Sequence, residues 1–290
     1  MKNVTAVLFG LAIMAHVGTA YPASWSEIED NNVASMDNRS VNAEGLTGLI
    51  RTVSAYTQPK GSIILGFSGS AENSRNPDFS SAQVNLTATA GLTGRIEAGV
   101  KAQVAGLNLG SSSARKTGVG DTEVFAKMRL TDQYDTFPAL AIGVGYTFPT
   151  GDEVKGTGSM KNQGARLILA ATNEKEMPGG YAMGIYVDGQ ILYNDEFGSK
   201  TVYTDKYGRI DVGLLVTLDE ERRLHGIVEW NYVAQKDIPT VFERNSWAVM
   251  PGLRYVTEHW NVTGGVQFIH PKDDAASNDM RALGTISYTF

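Results

Sequence analysis

From Gly61 to its C-terminus the chain repeats one pattern. Segments of about ten residues alternate apolar side chains with polar or small ones, and turn residues bound each segment. In one such segment Val84, Leu86 and Ala88 alternate with Gln83, Asn85, Thr87 and Thr89. In another Ile210, Val212, Leu214 and Val216 alternate with Asp211 and Thr217, and in a third Val228, Trp230 and Tyr232 alternate with His225, Glu229 and Asn231. A period of two gives each strand two unlike faces. A tilted strand of about ten such residues spans a bilayer if the sheet closes on itself, with the apolar face on lipid and the polar face on a lumen. The pattern therefore predicts an all-β, antiparallel transmembrane β-barrel.

Segments of this kind fall near 61–71, 80–91, 94–105, 119–130, 139–149, 163–173, 180–192, 207–218, 223–235, 245–257, 260–270 and 280–290. That is a barrel of about twelve strands, in the even-numbered bacterial series. The connections alternate in length, as such barrels require. Gly91–Gly94, Asp219–Arg222 and Thr257–His259 read as tight turns, while Gly106–Gly118, Thr150–Asn162, Tyr193–Lys206, Gln235–Arg244 and Pro271–Asp279 read as long polar loops. Thr131–Phe137 and Asn173–Gly179 are longer than the ideal for the tight-turn end. A soluble β-sandwich would also alternate, with its aromatic residues in the core. It accounts less well for the uneven loops and the terminal strand.

That strand ends Ile286-Ser287-Tyr288-Thr289-Phe290. Alternating apolar residues with a terminal Phe resemble the signal through which the barrel-assembly machinery accepts outer-membrane barrels, so Tyr288 and Phe290 are its candidate residues. Aromatic side chains should form two girdles at headgroup level. Tyr146, Phe148, Tyr232, Trp247 and Phe268 are expected near the outer strand ends, and Tyr255, Trp260, Tyr288 and Phe290 near the inner ends.

The N-terminus predicts export. Met1-Lys2, the apolar run Val4–Ala15 and small Gly18-Thr19-Ala20 read as a secretory signal cleaved after residue 20. Residues 21–58 are polar, with an acidic patch at Glu27, Glu29 and Asp30 followed by Gly45-Leu-Thr-Gly-Leu-Ile50. They read as an N-terminal periplasmic tail, or as a segment that tucks Leu46, Leu49, Ile50 and Val53 into the barrel mouth; residues 59–290 form the barrel. The expected location is the cell outer membrane, in contact with lipid and lipopolysaccharide.

A formal charge of -6 without a basic block gives no nucleic-acid footprint, and the absence of Cys removes disulfides and thiolate metal sites. The lumen should carry charges of both signs. A candidate selectivity stripe is Arg95, Glu97, Lys101, Asp121, Glu123, Lys127, Arg129, Asp211 and Glu229, with Arg166, Asp188, Arg209, His225 and Arg254 as further lumen positions. The Asp121 to Arg129 row is placed to pair with Arg95, Glu97 and Lys101 on the adjacent strand. No catalytic set emerges. His225 faces the lumen, His259 sits in a turn, and His270 near Asp273 and Asp274 is the one candidate dyad, which reads better as polar surface. Asp152-Glu153 and Asp273-Asp274 lack the spacing of a dedicated cation site, and Gly156–Ser159 lacks the Lys of a phosphate loop. No metal or cofactor is expected.

Two stretches carry a family resemblance: Gly118-Val-Gly-Asp-Thr-Glu-Val-Phe-Ala-Lys-Met-Arg-Leu130, and Gly145-Tyr-Thr-Phe-Pro-Thr-Gly-Asp152 followed by Gly156-Thr-Gly158. Together they resemble the outer-membrane channel family named after the meta-cleavage pathway of phenol degradation, over about a third of the chain. The resemblance implies a barrel that passes small, often aromatic or hydrophobic compounds, with Pro149, Thr150, Gly151 and Asp152 as the family-like loop motif. Two functions follow from the sequence: a passive channel or transporter for small solutes, or a plugged structural or surface-interaction barrel without conductance.

Overall fold

The computed structural model describes residues 40–75, 78–110, 116–151, 162–196, 206–236, 245–271 and 279–290. The leader, the acidic patch at residues 27–30, Asp152, Glu153, the Gly156–Ser159 run, Asp273 and Asp274 lie outside them. The strands are β1 (Ile63–Arg75), β2 (Asp78–Thr93), β3 (Ile96–Gly110), the short β4 (Lys116–Gly118), β5 (Thr122–Thr131), β6 (Ala139–Phe148), β7 (Asn162–Glu176), β8 (Ala182–Glu196), β9 (Lys206–Thr217), β10 (Leu224–Lys236), β11 (Ser246–Val256), β12 (Trp260–Pro271) and β13 (Asp279–Thr289).

Every strand pairs antiparallel with its neighbours, and β1 pairs with β13, which closes the sheet. β4 and β5 both pair with β3 and occupy one position in the wall, so the barrel has 12 strands. Phe290 completes the closure: its N–H donates to the Ile63 carbonyl at 2.9 Å.

The alternation read from the sequence is the alternation of the wall. Leu65, Phe67, Leu86, Val124, Met128, Ile191, Ile210, Leu214, Val228, Trp230, Leu253 and Ile286 are exposed on the outside. Their sequence neighbours Ser68, Thr87, Glu123, Lys127, Asp211, Glu229, Arg254 and Ser287 point inward and are buried. A soluble sandwich would bury the first set. Here many aromatic side chains face outward too, with ring pairs near both rims, while Phe125 and Tyr186 are buried on the inner face. Trp260, Tyr288 and Phe290 pack edge to face at 4.9 and 4.7 Å at one end, and Tyr146 packs on Phe148 at 4.8 Å at the other.

Some strands run longer than the alternation shows, while β5 and β11 are shorter than the segments read from it. β3 reaches Gly110, β7 begins at Asn162 and β8 reaches Glu196. Beyond the bilayer neither face of a hairpin meets lipid, so the apolar half of the signal fades while the hydrogen-bond ladder continues. β1 and β2 likewise continue to a close hairpin, with Arg75 opposite Asp78. At the other rim the two longer turns have internal structure. Tyr134 and Phe137 exchange backbone hydrogen bonds, and Pro178–Gly180 forms a 3-10 turn in which Gly179 and Gly180 take positive φ.

Pairing is irregular at a few places: the register shifts between β2 and β3 after Val84 and after Gly91, and between β5 and β6 after Arg129, and β11 carries a proline. Pro251 lies within β11 on the lipid side, where it has no N–H to give. Pairing with β12 lapses between Val249 and Gly252, while pairing with β10 continues through Pro251.

Candidate functional site: the filled lumen

Residues 40–58 lie inside the barrel. Two isolated antiparallel bridges, Val41 with Thr47 and Gly48 with Val53, fold them into a compact knot. Leu46, Leu49, Ile50, Val53, Ala55 and Tyr56 are buried in two apolar clusters. Leu46, Val53, Ala55 and Tyr56 pack with Phe125, Ala139, Ala141, Ile168 and Ala170; Leu49 and Ile50 pack with Tyr186, Leu215, Ile227 and Met250. The inward wall is therefore apolar where it meets the knot. Period-two reading treats such stretches as lipid-facing on both sides and cannot tell which face they serve.

A knot without a regular sheet leaves backbone groups that burial would strand. The wall satisfies them with charge. Glu229 accepts the N–H groups of Arg51 and Thr52, the latter at 2.7 Å. Glu97 accepts the N–H groups of Thr47 at 3.1 Å and Gln58 at 2.9 Å, and Asp188 accepts that of Val53 at 2.7 Å. In the opposite sense, Lys127 Nζ donates to the carbonyls of Ser54 at 2.7 Å, Tyr56 at 2.6 Å and Thr47 at 3.3 Å, and Arg254 donates to Gly48 at 2.7 Å. Hydrogen bonds in which one partner is ionised are roughly twice as strong as neutral ones. Lys127 also ion-pairs with Glu97 at 3.1 Å, and both side chains are fully buried. The knot returns charge of its own: Glu44 pairs with Arg166 and with Arg209, the latter at 2.6 Å, and Arg51 Nη1 donates to Gln267 at 3.3 Å.

Burial raises the pKa of the Tyr56 phenol, with Glu174 adding to the effect. The phenol therefore stays protonated and donates to Gln133 at 3.1 Å. The wall is also shaped for the knot. A Cβ at Gly213 would meet Leu49 and Thr52 first, and one at Gly252 would meet Ile50 Cδ1 at 2.5 Å, beside the gap that Pro251 leaves in the ladder.

The charges expected in the lumen thus divide. Glu97, Lys127 and Glu229 hold the knot, as do Asp188, Arg166, Arg209 and Arg254. Asp211 pairs with Arg209 at 2.6 Å and accepts from Asn231 at 2.8 Å, which links on to Gln267 at 2.9 Å. Glu97 sits opposite Lys127 and Lys101 opposite Glu123 in the β3–β5 ladder, and Lys101 and Glu123 pair at 2.7 Å.

Arg95 does not face the lumen. It occupies the turn between β2 and β3, is half exposed and pairs with Asp132. Its segment's alternation stops at Ile96, and the turn reverses before the next inward position. Arg129 sits at the same rim, bonded to the Gly94 carbonyl at 2.7 Å and to Asp132 at 3.3 Å. His225 is buried on the inner face of the wall, while His270 stacks on Trp247 at 4.3 Å.

The two stretches that carry the family resemblance meet. Asp121 accepts the Gly151 N–H at 2.9 Å, and Thr150 bonds the Thr122 hydroxyl at 3.0 Å. Pro149 directly follows β6, where a residue without an N–H ends a ladder.

Between the knot and the rim with the long connections the lumen stays open as a cavity of about 250 Å³. Glu44 and Arg51 form its floor, and Lys101, Asp121, Glu123 and Arg281 stand in its wall with Ser, Asn and Gln side chains between them. Among the described residues no group of His, Asp and Glu is arranged to hold a metal ion.

No protein-family model matches the chain, and no curated protein matches it in sequence. Its fold matches solved barrels. An outer membrane channel from Pseudomonas putida F1 superposes with a TM-score of 0.61 at 14% identity, over 81% of this chain and 98% of that one. The KdgM porin, solved in complex with disordered oligogalacturonate, superposes with a TM-score of 0.51 at 10% identity, over 78% and 99%. At these identities the likeness concerns architecture, a closed antiparallel β-barrel of 12 strands.

Proposed function

We propose that the protein is a passive outer-membrane channel for small solutes whose resting lumen is closed by its own residues 40–58, a resident plug. The observation that carries this reading is the bonding of the plug. It is held by charge-assisted hydrogen bonds and not by continuation of the sheet, so it can leave as a unit without unpairing a wall strand. The wall it would uncover carries the charges of Glu97, Lys127, Asp188, Asp211, Glu229 and Arg254 beside the apolar patches around Ile168 and Leu215, a mixed surface that would admit water along its charged side. The family resemblance implies aromatic or hydrophobic cargo. The lining of the open part of the lumen favours polar cargo, so block by an aromatic acid and by a polar solute of equal size is the comparison that decides. Export through the leader and insertion through the strand ending Tyr288–Phe290 complete the proposal.

The test is single-channel current from refolded protein in a planar bilayer. The full chain should show rare, brief openings, and a chain lacking residues 40–58 should show long-lived steps. Silence from both, with the barrel folded, would refute conduction. A second reading is a permanently plugged barrel that serves structure or surface contacts. The complete burial of the Lys127–Glu97 pair favours it, because a buried pair broken during opening leaves two charges to be resolvated.

A further inference from the structure

Residues 40–58 contain one acidic side chain, Glu44, and the wall holds it as a ligand is held. Its Oε1 pairs with Arg209 Nη1 of β9 at 2.6 Å, and its Oε2 pairs with Arg166 Nη1 of β7. The two guanidinium groups come from strands on either side of β8, so the carboxylate bridges them. Each is also steadied by a carboxylate of the wall: Arg166 by Glu123 at 2.6 Å and Arg209 by Asp211 at 2.6 Å. Asp188 lies opposite Asp211 in the ladder, where it accepts from the Val53 N–H and from Gln190. Glu44 keeps 18% of its side chain exposed, against 5% and 4% for Arg166 and Arg209, and it forms part of the floor of the 250 Å³ cavity. A solute that enters the cavity therefore meets Glu44 first, with the two arginines behind it. Beyond Arg166 the next inward positions of β7 are Ile168 and Ala170, which belong to the apolar cluster that the plug covers.

Resting on the plugged-channel reading above, we propose that Arg166 and Arg209 form a carboxylate-binding site for a small organic acid, occupied in the closed state by Glu44. A solute carboxylate takes the place of Glu44 between the same two guanidinium groups. Its hydrocarbon part lies over Ile168 and Ala170 once the plug has left them. The exchange replaces one charge-assisted pair by another of the same kind, so the clamp keeps an anion throughout. Solute and Glu44 cannot hold the site together. The solute therefore binds the undocked state of the plug and raises its population. A neutral solute of the same shape offers the clamp no charge, and chloride offers neither a second oxygen nor a hydrocarbon part.

The test uses the full folded chain in detergent. Ser54 is fully buried on the plug and the chain has no Cys, so the rate at which Ser54→Cys reacts with a water-soluble thiol reagent follows undocking. The probe is sodium propionate, compared at equal ionic strength with propionamide plus sodium chloride. Propionate should speed labelling about tenfold at roughly ten times its dissociation constant, because a ligand of one state multiplies that state's population by about the ratio of the two. The comparison mixture should leave the rate nearly unchanged. Glu44→Gln removes the resident carboxylate. It should label faster without propionate and lose most of the propionate effect, since a ligand that binds both states equally shifts neither. Arg209→Gln should lose the effect too, and both variants should keep the gel shift of a folded barrel on boiling. Faster basal labelling in the variants with no propionate effect in the parent is what a purely structural ion pair gives, and it overturns the proposal. So does an equal response to propionamide plus sodium chloride, a propionate effect that survives both substitutions, or no labelling of the parent with or without propionate. Labelling needs no conduction, so the two readings fail separately: a barrel that conducts but shows no propionate effect loses only the clamp, and a silent barrel that responds to propionate loses only the channel.

Discussion

Replacing Lys127 with Met should loosen the plug without opening the barrel wall. The side chain is fully buried, donates to three plug carbonyls and pairs with Glu97. Met keeps the volume and removes the charge, so the three carbonyls lose their donor and Glu97 keeps a buried negative charge without its cation. Breaking one side of a buried pair costs about 3–5 kcal/mol. If about 3 kcal/mol of that falls on plug docking, the undocked population rises roughly 100-fold. The chain has no Cys, so Ser54→Cys, at a fully buried position, gives a single reporter. Its rate of labelling by a water-soluble thiol reagent follows the undocked population when redocking is fast. Lys127→Met in that background should label roughly 100-fold faster. Adding Glu97→Gln, which removes the stranded charge, should bring the rate back to within about tenfold of the parent. Equal labelling of parent and Lys127→Met would show that these contacts do not hold the plug.

Other expectations follow from the same geometry. Gly213→Ala places a methyl group against Leu49 and Thr52 of the plug, and overpacking of about 1–3 kcal/mol should speed Ser54→Cys labelling roughly tenfold with no change in the barrel's gel shift. Arg95→Ala breaks an exposed pair with Asp132 and should change stability by less than about 1 kcal/mol in urea titration of the refolded barrel, in contrast to Lys127. Phe290→Ala should lower the amount of barrel assembled in cells, measured in outer-membrane fractions, while leaving refolding in detergent nearly unchanged. Equal loss in both settings would make Phe290 a closure residue and not an insertion signal.

The wall was legible because lipid and lumen impose opposite demands on successive residues. Glu97, Lys101, Glu123 and Lys127 could be placed on one face and even paired, since register in a two-faced strand moves in steps of two. Arg95 was misplaced because a turn residue beside an alternating segment looks like one more step of it. The plug was only half legible. Leu46, Leu49, Ile50 and Val53 announced an apolar patch needing cover. Nothing local announced that Glu229, 178 residues from Arg51, accepts its backbone N–H, because an irregular knot has no period to read. The inward positions of Ile168, Leu215, Ile227 and Met250 were hidden for the same reason: they match an apolar partner that is remote in sequence.

The most direct test of the resident plug is a reversible covalent lock. Ser54 and Thr172 place their hydroxyls 3.4 Å apart, one on the plug and one on β7. The pair Ser54→Cys and Thr172→Cys should form a disulfide in this cysteine-free chain. Single-channel current is then recorded from the oxidised protein and again after reductant is added. Silence when oxidised, followed by discrete steps on reduction, is the result the account predicts. The same current in both states would show that solutes pass without movement of residues 40–58, and would contradict it.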